Sequence, residues 1–242
     1  MIDGVKMSAS LGNVVYPHDW LTVASPQLLT FFYNKRLMKT RSFSWKDLPN
    51  LYDEFDEAAK VYQGEKTLEN DKEQSHIKRL YELSNKTEIL PAVPITFSHA
   101  SMLAQIFESH EGIMSSLKKT GQYDQKLDDA IMDRIEKARY WVTNYAPESE
   151  RFTVQEKSLA VLSEQQKQAL KLAVDALRAK SWDQKELFEK FYEFSKSVGL
   201  EPKDFFKAGY LVILNKERGP KLAPFVLALG ERAIMLFEQA SY

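Results

Sequence analysis

Cysteine is absent from this sequence, which excludes a disulfide scaffold and thiolate zinc sites and fits a reducing compartment. Glycine is scarce, with 9 residues in 242, and such a chain suits helices better than a turn-rich β fold. No apolar run approaches the roughly 20 residues that span a membrane. The N-terminus carries no basic-then-apolar signal segment. The expectation is a soluble, cytoplasmic protein with no membrane partner. Neither sign of charge is in excess, since 33 basic and 34 acidic residues leave a net −1. A nucleic-acid partner would therefore be met by local patches and not by a global positive field. No repeat of fixed period is present, which argues against a solenoid. What remains is 44% apolar and 28% charged, the composition of a folded domain long enough to bury a real core.

The pattern along the chain is mostly helical. Val14-Val15-Tyr16-Pro17 reads as extended, because proline disfavours helix before it. A short helix follows around Trp20, with His18-Asp19 as its cap. Ser25-Pro26 starts a second helix, with proline at the first helical position. Residues 47–63 form an acidic amphipathic helix closed by Gly64. Residues 65–75 read as an exposed polar loop, and 76–83 as a short helix or strand. Further helices are predicted at 98–109, 124–145, 163–179, 183–198, 202–216 and 224–238. Ser163 and Gln166 form a capping box. The fold class is mainly α: a short mixed α/β segment over 1–46, then an α-helical domain over 47–242.

Few side chains form a catalytic constellation. His18, His76, His99 and His110 are scattered, and no metal site is expected. No Ser-His-Asp order is present, and the acidic pairs read as solvated faces or caps. Trp141, Trp182 and Phe225 read as core and not as base-stacking platforms. Three polar segments carry more. Lys6-Met7-Ser8-Ala9-Ser10-Leu11-Gly12-Asn13 combines hydroxyl donors at Ser8 and Ser10, a cation at Lys6, and a glycine free to turn or to allow close approach, a composition suited to wrapping polyphosphate. Between Pro26 and Lys46 there is no acidic residue, while Lys35, Arg36, Lys39 and Arg41 are basic. That stretch is either a solvated connector or a patch that neutralises RNA phosphates. The turn Lys216-Glu217-Arg218-Gly219-Pro220-Lys221 is either an ordinary interhelix loop or a tip that reads splayed RNA.

The first segment resembles the KMSKS loop of class I aminoacyl-tRNA synthetases. With His18-Asp19-Trp20-Leu21, Ser25-Pro26-Gln27-Leu28-Leu29-Thr30-Phe31-Phe32-Tyr33 and 47–56 behind it, the chain is similar to class I lysyl-tRNA synthetases. The likeness continues through 205–225 and is weak from about 65 to 90. The resemblance implies ATP-dependent activation of lysine, with Mg2+, and transfer to lysine tRNA. It makes Lys6, Met7, Ser8, Ala9, Ser10 and Gly12 an ATP-binding loop, with Lys6, Ser8 and Ser10 facing the phosphates and Gly12 providing the turn. It makes 1–46 a remnant of the catalytic domain with a stem-contact region, and 47–242 an α-helix cage that docks the anticodon arm. Lys35, Arg36, Lys39, Arg41, Lys216, Arg218 and Lys221 are then the tRNA-binding candidates. Ala9 stands where the general motif has its second lysine, and Leu11 replaces another, which leaves Lys6 as the loop's one cation. In that family a nucleotide-binding fold precedes the loop, so the chain is expected to be a C-terminal portion or half of a split enzyme. The catalytic half is then a candidate partner chain, and this chain alone is expected to be inactive. The alternatives are a stand-alone tRNA- or RNA-binding module and an all-α interaction protein with no RNA partner. DNA is not an expected partner.

Overall fold

Ser25 shows how directly local chemistry sets an element here: its Oγ accepts a hydrogen bond from the Leu28 amide and caps α2 (Pro26–Asn34). In this computed structural model residues 1–86 and 88–241 are described. Before α2 comes α1 (Pro17–Leu21), and the sequence reading misplaced its cap. Proline opens α1, and the Tyr16 amide donates to Asp19. The helix α3 (Leu48–Gln63) ends at Gly64, whose φ of 82° is the left-handed cap conformation that glycine adopts freely.

The expected loop over 65–75 is in part helix. Asn70 Oδ1 accepts from the Lys72 and Glu73 amides and starts α4 (Asp71–Ser84). Its first turn is polar because the buried residues, Leu80, Tyr81 and Ser84, lie in the second half. The extended reading of 14–16 produces no strand. Bridges of Ile2 to Val5 and to Phe43 are the only β pairings among the described residues. The mixed segment is thus mixed only to that extent, and the mainly α expectation holds.

After a proline-bearing connector come α5 (Phe97–Ile106) and α6 (His110–Lys119). The second was missed in the sequence, where only Ile113 and Leu117 mark an apolar face. Ser109 caps it by accepting from the Gly112 amide. Next is α7 (Asp128–Asn144), then an irregular stretch, then α8 (Glu164–Ala179) with the Ser163–Gln166 capping box in place. The remaining helices are α9 (Gln184–Ser197), α10 (Pro202–Leu214), α11 (Leu222–Leu229) and α12 (Glu231–Ser241). The last two replace the single helix expected at 224–238. Gly230, at φ 55° and ψ −126°, breaks it.

The chain divides into two units, Met1–Ala104 with Asp124–Pro147, and Gln105–Tyr123 with Glu148–Tyr242. In the first, Trp20, Phe31, Phe55, Tyr81, Phe97 and Trp141 are buried. Arg134 crosses this core as a fork to both Asp56 oxygens, at 2.6 and 2.7 Å, and donates to the Ile95 carbonyl at 2.7 Å. Burial pushes the Asp56 carboxyl up, and the Arg134 hydrogen bonds and charge offset it. In the second unit α12 packs on α8, and α11 on α9. Phe191, Phe205, Phe225 and Phe237 fill its core. Trp141 and Phe225 are core as read from the sequence. Trp182 is only half-buried, and its indole donates to the Ala176 carbonyl at the end of α8.

Candidate functional site

The segment Lys6–Asn13 folds as one tight loop. Ala9–Leu11 make a single 3-10 turn, and Gly12 exits at φ 64°. No atom lies within 4 Å of where a Gly12 Cβ would sit, so glycine serves the positive φ and not close approach. Asn13 closes the loop. Its Oδ1 accepts from the Ser8 amide at 2.8 Å, and its Nδ2 donates to the Lys6 carbonyl at 3.2 Å. One side chain thereby joins both ends, a role that composition gave no sign of. The Ser8 and Ser10 hydroxyls are 2.8 Å apart, and one donates a hydrogen bond to the other. An anion arriving there gains two donors if each hydroxyl turns outward. Lys6, Met7, Ala9 and Ser10 are exposed, and Ser8 is partly so.

The stalk of this loop is stitched to the basic segment. Phe43 donates from its amide to the Met1 carbonyl at 3.0 Å, and its own carbonyl accepts from Asp3 at 2.9 Å. The Gly4 amide donates to Ser42 Oγ at 2.8 Å. Beneath lies an aromatic cluster, with the Phe43 ring 5.2 Å from Trp20 and 4.9 Å from Trp45. Trp45 stacks on Tyr145 at 4.0 Å. Phe43 and Trp45 therefore act as anchors for the segment. A cavity of about 510 Å3 runs beside them, lined by Met7, Trp20, Phe32, Arg36, Leu37 and Lys39 among others.

The four basic candidates of this segment differ in their surroundings. Lys35 is ion-paired with Glu54. Arg41 is turned inward and donates to the carbonyls of Tyr33, in the last turn of α2, and Arg36, just beyond it. Arg36 and Lys39 are exposed, and no carboxylate among the described residues is in ion-pair range. The C-terminal turn sorts the same way. Lys216 Nζ donates to the Arg151 carbonyl at 2.6 Å, and Glu217 pairs with Lys207 at 2.5 Å. The Lys207 hydrogen bond and charge hold the Glu217 carboxyl below its ordinary value. Arg218 and Lys221 project into solvent. The first cluster lies in the first unit and the second in the other. Among the described residues no three His, Asp or Glu side chains gather as a metal site, and no helix is long and apolar enough to cross a membrane.

A family model described as "tRNA synthetases class I (K)" matches residues 1–87, the stretch that carries the loop, its stalk and the basic segment. Lysine–tRNA ligase of Borrelia garinii is 31% identical over 94% of this chain and 44% of its own length. That of Thermococcus kodakarensis is 30% identical over 95% of this chain and 46% of the relative. The Methanocaldococcus jannaschii ligase is 31% identical over 97% and 48%. The chain spans a little under half the length of these curated relatives. Residues 1–87 are thus similar to the class I lysine-specific synthetase model, and the likeness to lysine–tRNA ligases runs nearly from end to end of this chain.

Proposed function

We propose that this chain is a C-terminal portion of a lysine–tRNA ligase, carrying the ATP-facing signature loop and the surfaces that hold lysine tRNA. The observation that carries the reading is the loop itself: a preformed turn, closed by Asn13, that presents Ser8, Ser10 and Lys6 at the surface. Its chemistry fits the polyphosphate of ATP, which Mg2+ accompanies in the complete enzyme. In that role Lys6 sets a positive charge near the leaving pyrophosphate, and the two hydroxyls donate to its oxygens as charge develops. Gly12 supplies the turn. With Ala9 and Leu11 in place of lysines, the loop stabilises that charge less than a two-lysine version does.

Residues 1–46 then belong with the catalytic apparatus, and the helices of 47–242 with recognition of the anticodon arm. Arg36 and Lys39 near the loop, and Arg218 and Lys221 in the 216–221 turn, are the cations that meet phosphates in this reading. The rest of the site, with the lysine pocket, lies in the part of the relatives that this chain does not match, in the same polypeptide or in a partner chain. Lysine-dependent ATP–pyrophosphate exchange by this chain alone tests the proposal. No exchange above background is expected, and exchange comparable to that of a full-length relative overturns it. The rival reading, a tRNA-binding module without ligase activity, predicts no lysylation even when the nucleotide-binding half of a relative is supplied.

A further inference from the structure

Between α2 and Phe43 the chain makes a projecting tip. Leu37 is 71% exposed, and Met38 is fully exposed. Met38 also sits at φ 60°, in the left-handed region that a methionine occupies only under strain. Two adjacent large apolar side chains held in water gain nothing from burial. Arg41 keeps them there. It donates to the carbonyls of Tyr33 and Arg36, and its guanidinium lies 5.7 Å from the centre of the Phe32 ring. Its neighbours Ser42 and Phe43 are hydrogen-bonded to the stalk of the signature loop. Arg41 thus positions the tip and is not itself turned outward. The cations that do project are Arg36 and Lys39, one on each side of the apolar pair, in a stretch with no acidic residue between Pro26 and Lys46.

We propose that Leu37 and Met38 pack against the open face of a terminal base pair of an RNA helix, with Arg36 and Lys39 on the flanking phosphates. A terminal pair offers a flat apolar face ringed by phosphates, and the tip offers an apolar pair flanked by cations. Apolar side chains set against base faces, beside cations on phosphates, are a known way of gripping nucleic acid. Two projecting cations are fewer than the clusters of four to eight that hold a protein on an anionic membrane. The inference rests on the tRNA reading above, since the tip shares a stalk with the loop that would act at the acceptor end of that RNA.

The test uses the whole chain and three RNAs: lysine tRNA, a minihelix that copies its acceptor stem, and the same helix closed by hairpins at both ends. Wild type is expected to prefer the open-ended minihelix over the closed one by roughly tenfold. In Leu37→Ala/Met38→Gly that preference disappears, while the salt dependence of binding stays. Glycine relieves the positive φ, so this variant is expected to melt no lower than wild type, which separates loss of recognition from loss of folding. Arg36→Gln/Lys39→Gln weakens binding to both helices alike and lowers the slope of log K against log salt by about two contacts. Equal affinity of wild type for the open and closed helices, or a preference that survives in Leu37→Ala/Met38→Gly, overturns the inference and leaves the tRNA reading standing. Absence of binding to lysine tRNA overturns both. Binding to phosphatidylserine vesicles that only Leu37→Ala/Met38→Gly abolishes reassigns the tip to lipid and overturns it as well.

Discussion

Arg134 and Asp56 form the most demanding contact at the level of single residues, because both are charged and nearly enclosed. Removing one partner strands the other, so Arg134→Met is expected to cost about 3–5 kcal/mol in chemical denaturation. The double variant Arg134→Met/Asp56→Leu is expected to recover most of that loss, and a double variant no better than the single would show that the pair itself stabilises. Asn13 is a gentler case, since its two hydrogen bonds lie near the surface. Asn13→Ala removes about 1 kcal/mol of restraint on the loop, which appears as roughly fivefold faster amide exchange at Ser8. His99 sets a pH dependence. Burial lowers its pKa to about 4, so between pH 6.5 and 4 the unfolded chain takes up a proton that the folded chain refuses. Stability then rises with pH across that window, and acid erodes it. His99→Gln is expected to flatten this slope by about 1–3 kcal/mol in denaturant titrations at pH 4.5 and 6.5.

Single helices were legible in the sequence where a cap and a broad apolar face coincide, as at Ser25-Pro26 and at Ser163 with Gln166. They were illegible where one signal stood alone. In α6 only Ile113, Ser116 and Leu117 are buried, too sparse an apolar pattern to show a helical period. The opening turn of α4 is polar and looked like loop, although Asn70 caps it. Gly230 gives no sign of a break in the sequence, because the residues on both sides are apolar enough to read as one helix. Its backbone angles suit glycine and no other residue, so Gly230→Ala is expected to lower stability by about 1–3 kcal/mol. A melting temperature equal to wild type would contradict that account of the α11–α12 break. The signature loop was legible because its residues are contiguous. Which cations stay free was not, since Glu54 meets Lys35 from another element and the Arg151 carbonyl meets Lys216 across 65 positions.

On the scale of the molecule, near-neutral net charge means that any hold on RNA comes from placed cations and not from a general field. In the proposed function those cations are Arg36 and Lys39 in one unit and Arg218 and Lys221 in the other, all four exposed. The Arg218→Ala/Lys221→Ala variant is expected to weaken tRNA binding by roughly tenfold and to lower its salt slope by about two contacts. Unchanged affinity would remove the 216–221 turn from the interface. The central claim is that this chain retains the tRNA-holding part of a lysine–tRNA ligase, and a titration of the chain with lysine tRNA across a salt series tests it most directly. The account predicts saturable binding that weakens steeply with salt and that a non-cognate tRNA competes for poorly. Absence of binding at low salt, or equal competition by any tRNA, would contradict it.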